Sequence, residues 1–294
     1  MSHKAGYINI VGLPNVGKSS LLNALLGQKL SATTPKAQTT RHRILGIING
    51  DDYQLVFSDT PGFINLPAYE LHKKMNNFVE QALEDADVFL FVTDKYQKDE
   101  EQQHLIDFLK NTKVPVLVVI NKADLYKEED AVKLVDRWSK ILPGAELIVI
   151  SAEKGLNRES LIKKISSLLP DSPAYFDKDQ LSDRNVRFFV SEIIREKIFL
   201  NYQKEVPYSC EVEVNSYQES EGIDRIKCTI YVERESQKAI ILGRNGESIK
   251  KTGIDAREAI ESFVSKKVHL ELVVKVKDKW RNSENTLRNF GYES

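Results

Sequence analysis

The stretch GLPNVGKSS, residues 12–20, follows the apolar run YINIV and combines two glycines, a lysine and two hydroxyl side chains. It satisfies the pattern G-x-x-x-x-G-K-[ST] between a strand-like run and a helix-like run. Glycines let backbone N–H groups wrap a phosphate chain, while Lys18 reaches the terminal phosphates and Ser19 ligates Mg²⁺. We predict a nucleotide site that includes Asn15, Val16, Gly17, Lys18, Ser19 and Ser20.

The choice of base depends on NKAD, residues 121–124, which follows the apolar run VPVLVVI. The Asp124 carboxylate can accept two parallel hydrogen bonds from guanine, whereas adenine would leave this acceptor unpaired. The stem of Lys122 can lie over the base, and Asn121 can hold the loop or the base edge. A second stretch, SAEKG, would offer backbone N–H groups to the guanine carbonyl oxygen, which adds Ser151, Ala152 and Glu153 to the predicted site.

The stretch DTPG, residues 59–62, lies at the end of the strand-like run YQLVFS. Asp59 can bind Mg²⁺ through water, and Gly62 can present its N–H group to a γ-phosphate. Thr60 lies between them and is included in the predicted nucleotide site. These positions predict a sensor of the γ-phosphate.

The upstream stretch KAQTTRHR contains two threonines, either of which could ligate the metal when the γ-phosphate is present. We favour Thr40, which adjoins Arg41, and assign Thr39 to an ordinary polar loop. The predicted metal ligands are therefore Ser19, Thr40 and Asp59. The segments around residues 28–43 and 59–77 are long and polar enough to order and disorder with the phosphate, which predicts a switch.

The elements that must position these motifs alternate between strand and helix up to about residue 170. This alternation predicts right-handed crossovers and a mostly parallel sheet covered on both faces, and the turn signal NGDD predicts one antiparallel edge strand. The run LLPDSPAYFDKDQLSDR then breaks the rhythm. We predict an α/β P-loop GTPase domain over residues 1–172, a linker over 173–183, and an α+β domain with a C-terminal tail over 184–294.

The pattern of the second domain predicts the element order α-β-β-α-α-β, with GRNG between two helical segments. Glycine turns let a sugar-phosphate backbone approach, and there are four bases against one acid from Lys238 to Lys251. This combination resembles a type II KH domain, which clamps about four single-stranded nucleotides. The predicted RNA-binding residues are Gly243, Arg244, Asn245, Gly246, Lys250 and Lys251. The alternative is a turn that contacts protein.

The amino-acid composition says less about the class of protein than the motifs do. With 41% hydrophobic residues, 29% charged residues and a net charge of −1, the chain is expected to be globular and soluble, and its charge alone does not indicate nucleic acid. Cys210 and Cys228 are expected to be reduced, partly buried thiols. We assign Glu192, Glu196 and Glu258 to solvated helix faces, and we expect Trp280 to pack in the core rather than stack on a base.

Taken together, the five nucleotide motifs and the KH-like domain resemble the Era family of GTPases over nearly the whole chain. The resemblance implies GTP and GDP binding, GTP hydrolysis with Mg²⁺, and a role in assembly of the small ribosomal subunit. It also implies the single-stranded 3′ end of small-subunit rRNA as the ligand of the KH domain. We expect a cytoplasmic monomer with no integral membrane segment, and leave peripheral contact with the inner face of the cell membrane open.

One position departs from the pattern of Ras-like enzymes. Phe63 follows DTPG where those enzymes carry a glutamine that orients water, so we expect slow hydrolysis and assign no general base. Phe63 is expected to make a hydrophobic contact of the switch. The remaining catalytic candidates are Lys18, Thr40, Gly62 and Asn15. GTPases of similar build that carry an asparagine at the position of Asn15 can recruit K⁺ beside the phosphates; the alternative is that Asn15 only stabilises the turn.

A second interpretation is a passive RNA-binding protein in which the nucleotide is structural. Phe63 favours this alternative, because it cannot orient the attacking water. The intact DTPG stretch and the threonine segment oppose it, because a static nucleotide needs no γ-phosphate sensor.

Overall fold

Six short apolar runs form one sheet in the first part of the chain. The computed structural model describes residues 3–36, 38–64, 66–97 and 102–292. The strands of this sheet are β1 (Lys4–Val11), β2 (Ile44–Asn49), β3 (Tyr53–Asp59), β4 (Val88–Thr93), β5 (Val116–Ile120) and β6 (Glu146–Val149). Their order is β2-β3-β1-β4-β5-β6, in which β2 pairs antiparallel with β3 and the other pairs are parallel. The prediction of one antiparallel edge strand is confirmed.

Amphipathic helices connect these strands: α1 (Lys18–Leu26), α2 (Glu70–Glu84), α3 (Gln103–Asn111), α4 (Glu128–Ile141) and α5 (Arg158–Leu168). Leucines of α1 and α5 pack on one face of the sheet. Apolar residues of α3 and α4, among them Trp138, pack on the other face. The strands are hydrophobic along their whole length because both faces are covered. Helix α2 lies partly in a segment for which the sequence predicted only a switch loop.

The second part of the chain forms α6 (Val186–Asn201), β7 (Glu211–Gln218), β8 (Ile223–Val232), α7 (Glu235–Leu242), α8 (Glu247–Val264), β9 (Lys267–Val276) and α9 (Glu284–Asn289). Strand β8 is central, antiparallel to β7 and parallel to β9. The predicted α-β-β-α-α-β order is confirmed. Trp280 is buried and donates from Nε1 to the backbone oxygen of Ser209 at 2.9 Å, so it packs in the core as expected.

The contacts divide the chain into two units. The first contains the residues up to Ser31, Thr40–Phe63 and Asn76–Asp183. The second contains the chain from Arg184 onward together with two segments from the earlier part of the sequence, Ala32–Thr39 and Ile64–Met75. None of the helices in the described ranges is long and apolar enough to cross a membrane.

Two acidic residues of α6 correct the sequence analysis. Glu192 and Glu196 are each only 3% exposed, so they do not form a solvated face. Glu192 accepts a hydrogen bond from Nε of Arg195 at 2.9 Å, and Arg195 is itself fully buried. A carboxylate can be buried when a buried cation pairs with it. The charges along the helix sequence do not predict such a pair. Glu258 is exposed, as expected.

Candidate nucleotide and RNA sites

The phosphate loop connects β1 to α1, and its backbone requires glycine at two positions. Gly12 has φ 146° and Gly17 has φ 96°, a region that side chains disfavour. A Cβ atom at Gly12 would lie 2.3 Å from the backbone oxygen of Val92, and one at Gly17 would lie 2.4 Å from Nδ2 of Asn121. Asn15 also has positive φ, at 65°. The loop is therefore held close to two neighbouring strand ends.

Lys18 folds over the loop that precedes it. Its Nζ donates hydrogen bonds to the backbone oxygens of Gly12 and Leu13, both at 2.9 Å. Burial lowers the pKa of Lys18 to about 8, and the negative charge of Asp59 opposes this shift. A phosphate group in the loop would add negative charge beside a buried ammonium, so the loop is electrostatically suited to an anion.

Three oxygen-bearing side chains from three segments meet beside the loop. Ser19 Oγ donates to Asp59 Oδ2 at 2.8 Å and lies 3.2 Å from Thr40 Oγ1. Burial raises the pKa of Asp59, while the hydrogen bond from Ser19 and the charge of Lys18 oppose the rise. The other carboxylate oxygen, Oδ1, is buried and has no hydrogen-bond partner among the described residues. Such a set of hard oxygen donors fits Mg²⁺.

The structure separates the two threonines of the upstream segment. Thr39 Oγ1 donates to the backbone oxygen of Lys36 at 2.8 Å and lies 2.6 Å from Thr34 Oγ1. Thr40 Oγ1 instead lies beside Ser19. Of the two threonines, Thr40 is the one that lies beside the Ser19 hydroxyl, and its role as a metal ligand stays a prediction.

The DTPG stretch continues from the end of β3. Thr60 is 4% exposed, and a Cβ atom at Gly62 would lie 3.6 Å from Cγ of Pro14, so this stretch passes next to the phosphate loop. Phe63 is 52% exposed. About half of the side chain therefore faces solvent, and the hydrophobic contact expected for Phe63 stays a prediction.

The NKAD and SAEKG stretches meet at the ends of β5 and β6. Ser151 Oγ donates to Asp124 Oδ1 at 2.5 Å and also accepts from the backbone N–H of Lys154 at 3.1 Å. Asp124 is exposed, so it is accessible to a base. Asn121 Nδ2 donates to the backbone oxygen of Val16 at 2.9 Å, and its Oδ1 accepts from the backbone N–H of Ala152 at 3.0 Å. Asn121 thus ties the three loops together.

The remaining predicted nucleotide residues follow these loops. Val16 is fully buried, whereas Ser20 and Ala152 are half-buried and Glu153 is exposed. Lys122 has φ 63° and donates from Nζ to the backbone oxygen of Asn15 at 2.6 Å. The lysine of NKAD is therefore connected to the phosphate loop, a contact that spacing alone does not predict.

In the second unit, the GRNG turn joins α7 to α8. Gly243, Asn245 and Gly246 have φ values of 71°, 52° and 78°. A Cβ atom at Gly243 would lie 2.1 Å from Ser248 Oγ, whereas one at Gly246 would meet no atom within 4 Å. Arg244 is exposed, as are Lys250 and Lys251 at the start of α8. The turn therefore presents positive charge and an open backbone, which suits a sugar-phosphate chain.

A groove of about 310 Å³ runs between α8 and β9, and the sequence analysis did not assign most of its residues. It is lined by Ile249, Lys250, Gly253, Ile254, Arg257, Leu270 and Leu272. Its walls are apolar with two cations at its sides, a composition that suits unstacked bases and their phosphates. The pairing of α8 with β9 could have been inferred from the α-β-β-α-α-β order, but the residues that face each other could not.

Comparisons with known proteins assign both parts of the chain to families. The family described as "50S ribosome-binding GTPase" matches residues 7–122, and the KH domain family matches residues 205–281. GTPase Era from Azotobacter vinelandii is 43% identical over 99% of this chain and 97% of its own length.

Two solved structures of Era each match 99% of this chain and 100% of their own. One, from Aquifex aeolicus, is a variant bound to GDP·AlF₄⁻ and has a TM-score of 0.93 at 39% identity. The other is a complex with MgGDPNP and nucleotides 1506–1542 of 16S rRNA, with a TM-score of 0.91 at 40% identity. Identity of 39–43% over 99% of this chain confirms the resemblance carried by the motifs: the chain belongs to the Era family of GTPases.

Proposed function

We propose that this GTPase is a switch in which bound nucleotide controls the binding of single-stranded rRNA during assembly of the small ribosomal subunit. The ligand of the groove between α8 and β9 is the 3′ end of small-subunit rRNA. This choice is supported by the Era complex that contains nucleotides 1506–1542 of 16S rRNA. The main observation that supports a switch is that Ala32–Thr39, next to the proposed metal ligand Thr40, groups with the second unit.

Lys36 anchors that segment to the end of α6. Its Nζ donates to the backbone oxygen of Phe199 at 2.5 Å and also to that of Tyr202. An ammonium is favourable there because the last carbonyl groups of a helix lack partners and carry partial negative charge. Thr40, four residues further along the chain, lies beside Ser19 at the proposed metal site. A change in γ-phosphate occupancy that moves Thr40 should therefore also move the segment that Lys36 fixes to the end of α6.

Tyr202 continues the connection towards the RNA site. Its hydroxyl donates to the backbone oxygen of Ile241 at 2.8 Å and accepts from Thr252 Oγ1 at 3.0 Å. Ile241 precedes the GRNG turn, and Thr252 lies on α8 after it. The residue that Lys36 contacts through its backbone thus supports both sides of the turn through its side chain.

The test is the affinity of the protein for a single-stranded RNA of the 16S rRNA 3′-terminal sequence, measured with GDP and with a non-hydrolysable GTP analogue. We expect the two affinities to differ by about fivefold or more, the usual size of coupling between sites. Lys36→Met should shrink this difference, while Lys133→Met, which removes an exposed lysine of α4, should keep it. Equal affinities in the wild type would support the passive RNA-binding alternative instead.

The nucleotide and metal residues are part of the same proposal. Ser19, Thr40 and Asp59 hold Mg²⁺, which supplies positive charge to the phosphates when it is bound. The base is bound by Asn121, Lys122 and Asp124 with the backbone of residues 151–153. Calorimetry with GTP and ATP tests the choice of base: we expect GTP to bind at least a thousandfold more tightly.

We also propose that K⁺ beside Asn15 accelerates hydrolysis. Asn15 is exposed at the mouth of the phosphate loop with φ 65°, which leaves its side chain accessible to a phosphate-bound cation. Turnover should be faster in K⁺ than in Na⁺ at equal ionic strength, and Asn15→Ala should remove the difference. The same rates in both salts for both proteins would leave Asn15 with only a role in the turn.

For its setting in the cell, we propose a cytoplasmic monomer, with peripheral contact at the inner face of the cell membrane as the alternative. The two cysteines, Cys210 and Cys228, are buried and reduced, which suits a reducing compartment. Light scattering of the purified chain tests the monomer. Cell fractionation with a salt wash of the membrane fraction tests the membrane contact.

A further inference from the structure

The end of β4 lies against the guanine-recognition loop at several points. The backbone N–H of Asn121 donates to the backbone oxygen of Thr93 at 2.8 Å. Lys95 Nζ donates to the backbone oxygen of Leu125 at 3.0 Å and lies 5.1 Å from the ring centroid of Tyr126. Residues 93–95 therefore support residues 121–126 along their length.

Between these contacts, Asp94 reaches the lysine of NKAD. Its Oδ2 lies 2.7 Å from Lys122 Nζ, and its side chain is 0% exposed. This oxygen has no hydrogen bond of standard geometry among the described residues, so the contact is an ion pair. Asp94 is itself fixed, because its Oδ1 accepts from the backbone N–H of Tyr96 at 2.8 Å. Lys122 Nζ is thus held between a rigid carboxylate and the backbone oxygen of Asn15.

We infer that Asp94 is a positioning residue for guanine-nucleotide binding, acting through Lys122. This inference rests on the proposed role of Lys122 at the base. The Lys122 stem can cover a base only if its ammonium is held away from the base. A lysine without such a contact would lose rotational freedom about several side-chain bonds when the nucleotide binds. The Asp94 carboxylate holds Lys122 in that arrangement before the nucleotide binds. The loss of side-chain entropy therefore does not weaken nucleotide affinity.

The experiment compares Asp94→Asn, Lys122→Met and the double variant, each with GDP and GTP by stopped-flow release of a fluorescent nucleotide. We expect Asp94→Asn to weaken both nucleotides by about tenfold, mainly through faster release, with kcat at saturation unchanged. In the Lys122→Met background, Asp94→Asn should add no further loss, because its route of action is already absent. Asp130→Asn is the matched control: this exposed carboxylate lies 3.7 Å from Lys95 and should change nothing.

Two further measurements separate this role from simple loss of structure. Asp94→Glu should recover part of the affinity because it restores the charge, and circular dichroism should show all variants folded. Additive losses in the double variant, or a fall in kcat equal to the fall in affinity, would overturn the inference. Wild-type protein that does not bind guanine nucleotide in the same assay would instead refute the proposed function, so the two failures are distinguishable.

Discussion

Asn121 and Val16 are joined by a buried hydrogen bond of 2.9 Å between Nδ2 and the backbone oxygen, across 105 residues of sequence. The same side chain accepts from the backbone N–H of Ala152 at 3.0 Å. The space around it is tight, because a Cβ atom at Gly17 would lie 2.4 Å from Nδ2. One amide therefore connects the phosphate loop, the NKAD loop and the SAEKG loop.

Asn121→Ala should weaken GDP and GTP binding by at least tenfold. It should also lower the free energy of unfolding of the nucleotide-free protein by about 1–3 kcal/mol, because it leaves a buried carbonyl group and an N–H group without their partner. Calorimetry and urea denaturation measure the two effects. Asn111→Ala, which removes an exposed hydrogen bond on α3, is the control and should have little effect on either quantity. Unchanged binding in Asn121→Ala would mean that the loops are held by other contacts.

The two adjacent threonines allow a matched test of the proposed metal site. Thr40→Val should reduce the Mg²⁺-dependent preference for a GTP analogue over GDP, because its hydroxyl lies 3.2 Å from Ser19 Oγ. Thr39→Val should keep that preference, since Thr39 Oγ1 contacts Lys36 and Thr34 instead. Calorimetry with and without Mg²⁺ provides the measurement. The opposite result would move the ligand to Thr39.

The GRNG turn offers a variant that acts on RNA without a steric clash. A Cβ atom is accommodated at Gly246 but not at Gly243, so Gly246→Asp is preferable to any change at Gly243. Its negative charge should lower RNA affinity by at least tenfold and leave guanine-nucleotide affinity unchanged. Gly246→Asn is the control, because asparagine tolerates positive φ and adds no charge. Equal RNA affinities for the two variants would place the phosphate contacts elsewhere.

The sequence predicted the parts of the molecule that depend on local pattern. The alternation of apolar runs predicts both sheets, and the motifs predict Lys18 at the start of a helix and Asp59 and Asp124 at strand ends. Contacts between distant segments could not be predicted in the same way. The groove between α8 and β9 is one example, since which of its side chains face each other depends on tertiary packing.

Asp94 shows a second reason why some residues of the site could not be predicted from the sequence. It follows a buried strand within the stretch VTDKY, which resembles an ordinary polar strand end. Its role depends on Lys122, which is distant in sequence, and on complete burial of the carboxylate. Glu192 is similar, because its charge indicates a solvated helix face, whereas its pairing with the buried Arg195 keeps it inside the protein.

The thiol of Cys228 makes the second unit sensitive to alkali. Burial raises the pKa of Cys228 to about 12 from its ordinary value of 9.0. Above an ordinary thiol pKa the unfolded chain loses this proton while the folded chain keeps it, so the contribution to stability falls as pH rises. The expected slope is about 1.4 kcal/mol per pH unit until the folded pKa is reached. Urea unfolding on both sides of the ordinary thiol pKa should show a shallower loss for Cys228→Ala than for the wild type; equal slopes would mean that the thiol ionises normally.

The ion pair inside α6 predicts a large loss of stability from a small change. Glu192 pairs with Arg195 through both carboxylate oxygens, and the two side chains are 4% and 1% exposed. Burial opposes the charge on Arg195, but the Glu192 carboxylate outweighs it and raises the Arg195 pKa above its ordinary value. Glu192→Gln keeps the shape and removes the charge, so it should cost about 3–5 kcal/mol in the free energy of unfolding.

Urea unfolding of the full chain, followed by near-ultraviolet circular dichroism, measures that cost. Glu258→Gln on α8 is the control, because this carboxylate is exposed and should change stability by less than about 0.5 kcal/mol. Replacing both partners, as in Glu192→Met with Arg195→Leu, should recover much of the loss, because an apolar pair of similar volume leaves no buried charge without a partner. A double variant as unstable as Glu192→Gln would show that losing the Arg195 charge, which also interacts with Glu211, costs as much as losing the Glu192 charge.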